Sequence, residues 1–328
     1  MVLPPRLTPP HVQEKLVDIA RRLARRLRVR GPFNLQFIVR GEEVFVIEMN
    51  LRASRSLPFA TKASGYPFPR EMARAILGRP IRREGVILPP FGRWGVKAPQ
   101  FSFFQVDRAD PLLGVEMQST GEVACFGLTF ADAFVKAMVA TGVRVVREGG
   151  EAFLSVGGPE LKARILPAAV AMERLGFRIS ATEDTAEYLR AHGVRNVRVL
   201  YKLMEPERKP NLRDAIEQGE IDLVVNVPSS FTQEKLERML EDDYTLRRLA
   251  IEMALPLFTS VETFLAYVEG LSWLREHPVS TEALGVASRT RSLNQPRSVA
   301  LRASSTPSRE RAADLTANPG TPVSNEKA

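Results

Sequence analysis

The sequence predicts an α/β protein with a mixed α/β first region, a doubly wound parallel-sheet second region and a disordered tail. Three observations carry that prediction. Through residues 149–272 short apolar runs alternate with helical periods, the order of a parallel sheet covered on both faces by helices. Between Phe33 and Asn50 two runs of period two face each other across a glycine-containing turn, the pattern of a hairpin. After Trp273 no aromatic residue follows, and from about Pro278 Ser, Thr, Arg, Asn, Pro and Ala dominate. Such a segment cannot bury enough apolar surface to offset an ordering cost of about 1–2 kcal/mol per residue. A length of 328 residues suits two domains of roughly 150 residues each. The expected divisions are 1–148, 149–272 and a tail over 273–328.

In the first region, Val12, Leu16, Ile19, Leu23 and Leu27 recur at steps of three and four, which predicts an amphipathic helix over 11–28. Arg21, Arg22, Arg25, Arg26, Arg28 and Arg30 then occupy its outward face. Together with the polar tail they supply much of a net charge of +8. An RNA-binding strip is one reading of that face. No aromatic residue is interleaved to stack on bases, so a solvated face is preferred and a nucleic-acid partner is not expected.

In the hairpin, Phe33–Val39 and Val44–Asn50 flank Arg40-Gly41-Glu42-Glu43. A three-residue loop, Gly41 to Glu43, sets Gln36 opposite Glu48, and period two puts Glu48 and Asn50 on one face, about 7 Å apart along the strand. A carboxylate and two amide oxygens then share one side. Hard oxygen donors in that number suit Mg²⁺ or Mn²⁺, which keep several waters and bridge to substrate phosphates. Directly after them, Arg52 and Arg55 extend beyond the strand end, where guanidinium groups could reach phosphate or carboxylate oxygens. An edge strand with a solvated polar side fits the same spacing.

Across the second region the predicted order is strand 152–156, helix 160–175, strand 177–181, helix 184–192, strand 197–201, helix 212–218, strand 221–227, helix 243–253, a short strand at 257–259 and helix 261–271. Ligands of such sheets sit beyond the carboxyl ends of the strands. Thr182 and Thr185 fall at one of those ends where a helix begins, so either helix capping or anion binding would explain them.

Composition narrows the chemistry. One cysteine excludes a disulfide framework and any cysteine-built cluster, and three widely spaced histidines, His11, His192 and His277, disfavour a histidine metal site. Cys125 reads as a small core residue rather than a nucleophile. No apolar run approaches the roughly 20 residues of a membrane span, and the opening MVLPPRLTPP lacks an apolar signal core. A soluble cytoplasmic protein with no membrane partner is expected.

The text GPFNLQFIVRGEEVFVIEMNLRASRSLPFATKASGYPF, followed by VKAPQFSF, DPLLGVEMQSTGEVACFG and AFVKAM, resembles the carbamoyl phosphate synthetase large chain, in the closing part of its second ATP-grasp domain. NLRASRS, VKAPQFSF and STGEVACFG look closer to the versions fused into eukaryotic polyproteins. Residues 150–271, with SATEDT, DLVVN and DYTLRR as landmarks, resemble the family's methylglyoxal-synthase-like regulatory domain. The likeness covers about 1–272 in unbroken order and implies a partial ATP-grasp lobe followed by that domain.

The resemblance implies an ATP-dependent ligase of pyrimidine and arginine biosynthesis, phosphorylating carbamate. It implies that Gln36, Glu48 and Asn50 ligate the Mg²⁺ or Mn²⁺ bridging the ATP phosphates. Arg52 and Arg55 would face the transferred phosphoryl group and the carbamate oxygens. Lys162, Thr182, Thr185, Lys202 and Asn226 would contact a small anionic effector. The family's glycine-rich loop, its bicarbonate-phosphorylating half and its oligomerisation segment have no counterpart in the 328 residues. Implied partners are therefore the remaining portion of the large chain and a glutaminase small chain, and inactivity alone is expected. A non-catalytic regulatory module or a truncated remnant is the competing reading. Where the bacterial uridine-nucleotide pattern has a threonine two residues after Asn226, this chain has Pro228, which offers neither hydroxyl nor backbone N–H. The effector is left open between a nucleotide and an acidic metabolite.

Overall fold

The computed structural model describes residues 1–280 apart from 82–84, 90–91, 104, 107, 114–118, 147 and 229–232; for 233–240 the backbone alone is described. The expected tail, from residue 281 onward, lies outside the described residues, as do Ser229 and Ser230.

The first region runs β1 (Val2–Leu3), α1 (Pro10–Arg26), β2 (Asn34–Arg40), β3 (Glu43–Asn50), α2 (Leu57–Ser64), α3 (Phe68–Ile76), β4 (Trp94–Gln100), β5 (Gly121–Gly127) and α4 (Phe130–Ala140). β1, β4 and β5 form an antiparallel three-stranded sheet, whereas β2 and β3 pair with each other alone among the described residues. As predicted, α1 turns Val12 inward and leaves its arginines exposed.

The hairpin differs from its predicted geometry in an instructive way. Arg40 pairs with Glu43, so the turn is the two residues Gly41 and Glu42, with Gly41 in the left-handed region at φ 58°. The register then shifts between Gln36 and Phe37, because Phe37 pairs with Val46 and Gln36 with Glu48. Ile47 is the extra residue of a β-bulge. A shorter turn and an added residue offset each other, and Gln36 faces Glu48 as expected.

The second region runs β6 (Glu151–Val156), α5 (Pro159–Arg174), β7 (Arg178–Ala181), α6 (Glu183–Ala191), β8 (Val197–Val199), α7 (Leu212–Glu217), β9 (Leu223–Val227), α8 (Gln233–Glu252), β10 (Leu257–Phe258) and α9 (Val261–Leu274). The strands pair in parallel in the order β10-β9-β6-β7-β8, the doubly wound sheet the sequence predicts. Side chains alternate across it. Ala152, Leu154 and Val156 enter an apolar cluster with α5, α6 and α9, while Phe153 and Val224 enter a second one with α7 and α8. Two boundaries are corrected. α8 begins at Gln233, ten residues before the predicted start at Asp243, and α9 continues to Leu274, so Trp273 and Leu274 of the expected tail are helical.

The first cluster does not stop at residue 149. It takes in Val96, Phe130, Phe134 and Val146 as well as α9, so α4 and α9 pack together and join the antiparallel sheet to the parallel one. Gly270 sits at that contact, where a Cβ would lie 2.6 Å from Val135 Cγ2. Tyr267 closes the seam by accepting the Val146 N–H at 3.0 Å.

Candidate functional site

Two groups of side chains, one in each region, meet the requirements the sequence set out. On the hairpin, Glu48 Oε1 accepts from Gln36 Nε2 at 3.0 Å and from Asn50 Nδ2 at 2.6 Å. The hairpin register brings the three together. The cross-strand pair supplies Gln36, and period two supplies Asn50 on the same face. Rotating each amide end for end presents its oxygen in place of its NH₂, giving one carboxylate and two neutral oxygens, a set that suits a hard divalent cation completing its shell elsewhere. Among the described residues no three His, Cys, Asp or Glu side chains cluster, so the donors here are one acid and two amides. Arg52 and Arg55 follow β3 and are exposed, Arg52 donating to the Ala53 carbonyl at 3.2 Å.

The hairpin around this group is unusually apolar for its exposure. Ile38, Val39, Phe45, Val46 and Ile47 are all exposed to solvent. An uncovered apolar strand pair favours association.

In the second region, Thr182, Thr185 and Lys162 meet at the start of α6, beyond the carboxyl ends of β6 and β7, whereas Asn226 near the end of β9 bonds to α8 and Lys202 follows β8. Thr182 occupies the N-cap position of α6, yet its hydroxyl does not cap the helix. It donates to Thr185 Oγ1 at 3.1 Å, and Thr185 in turn accepts from the Val156 N–H at 3.2 Å. The two threonines thus tie the start of α6 to the end of β6. Lys162, on the first turn of α5, is buried and reaches across to the same helix start, where its Nζ is hydrogen-bonded to the Asp184 carboxylate. Lys202 is half-buried after β8. The Arg208 guanidinium holds the nearby Glu183 carboxyl below its usual range, with Lys202 adding to the effect. Burial pushes the Asp242 carboxyl up, against the Met204 N–H and Lys202.

Asn226 is buried, and its amide is bonded at both ends. Nδ2 donates to Asp243 Oδ1 at 2.8 Å, and Oδ1 accepts from Arg247 Nη1 at 2.8 Å. Arg247 continues to the first region through two bonds to Asp110, Nε to Oδ1 at 2.7 Å and Nη2 to Oδ2 at 2.6 Å. Its neighbours reinforce the tie. Arg248 donates to the Phe103 and Ala109 carbonyls at 3.0 and 3.2 Å, and Tyr244 Oη to the Arg108 carbonyl at 3.0 Å. Burial pushes the Asp110 carboxyl up, but the Arg247 guanidinium and the Leu112 N–H outweigh it and hold the group below its ordinary value. Sequence reasoning used DYTLRR as a landmark and missed Arg247 and Asp110 as partners. Adjacent arginines on a helix give no sign of which one is buried.

No helix among the described residues is long and apolar enough to cross a membrane. Cys125 lies half-buried on β5, where burial raises its thiol against the opposing charge of Lys136.

Comparison with known proteins relates both regions to one enzyme family. Residues 2–84 match the family model of the carbamoyl-phosphate synthase L chain ATP binding domain, and residues 164–259 match that of the MGS-like domain. The chain is 40% identical over 291 residues to the carbamoyl phosphate synthase large chain, C-terminal section, of Methanopyrus kandleri, covering 86% of this chain and 52% of that protein. It is 35% identical over 271 residues to the mitochondrial carbamoyl-phosphate synthase (ammonia) of Homo sapiens, covering 80% of this chain and 18% of the human protein. With the multifunctional protein pyr-3 of Neurospora crassa it shares 35% identity over 278 residues, 84% of this chain and 15% of that one. The chain therefore spans about half the length of the first relative and less than a fifth of the other two.

Proposed function

Because the chain is homologous to the C-terminal part of the carbamoyl phosphate synthetase large chain, we propose that it supplies one wall of an ATP-dependent carbamate kinase site and an effector-binding domain. The observation that carries the first half is the convergence of Gln36 and Asn50 on a single oxygen of Glu48. In this reading residues 1–148 are the carboxy-terminal portion of an ATP-grasp domain and 149–272 the effector domain. The rest of the nucleotide site comes from the remaining portion of the large chain, and ammonia from a glutaminase chain.

Glu48, with the amide oxygens of Gln36 and Asn50, would hold Mg²⁺ or Mn²⁺, which when bound offsets charge on the ATP phosphates. Arg52 and Arg55 would neutralise the equatorial oxygens of the transferred phosphoryl group and orient the carbamate. Phosphoryl transfer asks for in-line positioning and charge neutralisation rather than an acid–base triad, and the residues on this wall are of those kinds. The exposed apolar hairpin supports a covering partner, since this strand pair alone leaves Phe45 and Ile47 in water.

The test is reconstitution. Alone, the chain should turn over neither ATP nor carbamate, because donors on one wall cannot fix the phosphates in line. Mixed with the preceding part of a relative's large chain, it should support carbamoyl phosphate synthesis, and Glu48→Gln should lower the rate by about 10²-fold or more. Undiminished activity in the Glu48→Gln mixture would remove the metal assignment, and turnover by the chain alone would remove the shared site.

In the second region, the threonine pair and Lys162 meet beyond the carboxyl ends of β6 and β7, where such sheets bind ligands, and in this reading Lys202 and Asn226 complete the site from β8 and β9. A small anionic effector is the proposed occupant. Thr182→Ala should weaken its binding in calorimetric titration with UMP, UTP, phosphoribosyl pyrophosphate and N-acetylglutamate.

A further inference from the structure

The cation best placed to receive that anion does not stand free. Lys162 is 4% exposed, and its Nζ is hydrogen-bonded to the Asp184 carboxylate and lies 3.3 Å from the Asp184 carbonyl oxygen. Its partner is in the opposite situation, with an Asp184 side chain 86% exposed on the first turn of α6, between Thr182 and Thr185. The ion pair is therefore asymmetric. Lys162 has little contact with water and needs a counter-charge, whereas the Asp184 carboxylate already stands in solvent and stays hydrated when another anion takes its place.

We infer that Asp184 is a resident competitor for the effector. Its carboxylate occupies the Lys162 ammonium in the empty protein, and an anionic ligand binds there by displacing it. This inference rests on the effector site proposed above and adds the residue that sets its affinity. The neighbouring turn repeats the theme, with Glu183 of α6 held by Arg208 at 2.7 and 2.8 Å.

The consequence can be bounded. A ligand that needs Lys162 free binds with an apparent dissociation constant equal to the intrinsic one divided by the fraction of molecules in which it is free. If the ion pair is formed 90–99% of the time, on the order of a 10- to 100-fold weakening follows. The displaced carboxylate leaves for solvent whichever anion arrives, so the weakening applies to all anions alike. Asp184 would set the concentration at which the site fills rather than the choice among anions.

The experiment is calorimetric titration of the full chain with inorganic pyrophosphate and with UMP, at fixed ionic strength. Asp184→Asn should tighten both probes by about tenfold or more. Glu187→Gln removes an exposed charge from the same helix without touching Lys162, and should change affinity by less than about twofold. In a Lys162→Met background the Asp184→Asn effect should vanish. Should Lys162→Met fail to fold, the comparison of Asp184→Asn with Glu187→Gln still decides. If the wild type binds either probe and Thr182→Ala weakens it, but Asp184→Asn behaves like Glu187→Gln, the competitor role is overturned and the effector site stands. Absence of binding by every variant would overturn both.

Discussion

Asp110→Ala and Arg247→Met remove the same pair of hydrogen bonds from opposite ends, and they should differ in cost. Arg247 has no exposed surface, whereas the Asp110 side chain is 37% exposed. Asp110→Ala leaves a guanidinium buried without a counter-charge, with Asn226 Oδ1 as its remaining acceptor from the triad, and should destabilise the chain by about 3–5 kcal/mol. Arg247→Met fills much of the same volume with an apolar side chain. What it strands is a carboxylate that water can reach and one amide oxygen, a penalty of about 1–3 kcal/mol. A difference of about 2 kcal/mol in urea unfolding, or roughly 4–8 °C in melting temperature for a unit of this size, is within reach of tryptophan fluorescence. If Arg247→Met costs as much as Asp110→Ala, the burial asymmetry is not what governs the pair. Acidification offers a second check. The folded Asp110 carboxyl is held below its usual value, so its contribution is present above the unfolded value of about 3.9 and is lost as pH falls through the folded one. The gap between wild type and Asp110→Ala should accordingly narrow below about pH 4.

Replacing Ile38, Phe45 and Ile47 together by threonine should abolish self-association of the chain in sedimentation and reduce hydrophobic-dye binding, because those exposed side chains form the uncovered part of the hairpin; unchanged association would place the sticky surface elsewhere. Gly270→Ala should destabilise by about 1–3 kcal/mol through overpacking between α4 and α9, with Val135→Ala in the same chain restoring most of the loss. A Gly270→Ala cost under about 0.5 kcal/mol would mean that the two helices separate freely.

What the sequence makes legible is whatever repeats along it. The strands of the second region are apolar on both faces and its helices on one, so the alternation of Ala152–Val156, Leu223–Val227 and the helices between them writes the parallel sheet directly into the text. The hairpin is legible for the same reason and only to the same depth. Val44-Phe45-Val46-Ile47 is a continuous apolar run, and a bulge inserted into such a run leaves no mark on a period of two. The predicted loop was one residue too long by the amount the bulge takes back. The early start of α8 was legible and passed over: Gln233–Glu241 is built from good helix formers, and Leu236, Met239 and Leu240 stand at the i, i+3, i+4 spacing of a helix. Charged partners are the least legible of all. Arg247 and Arg248 differ by about 100° around one helix, and burial selects the first because Asp110, 137 residues away, is waiting for it. Lys162 finds Asp184 only once α5 and α6 lie side by side on the sheet. Residue type shows that a carboxylate or an ammonium is available; only the fold determines which of them is already taken.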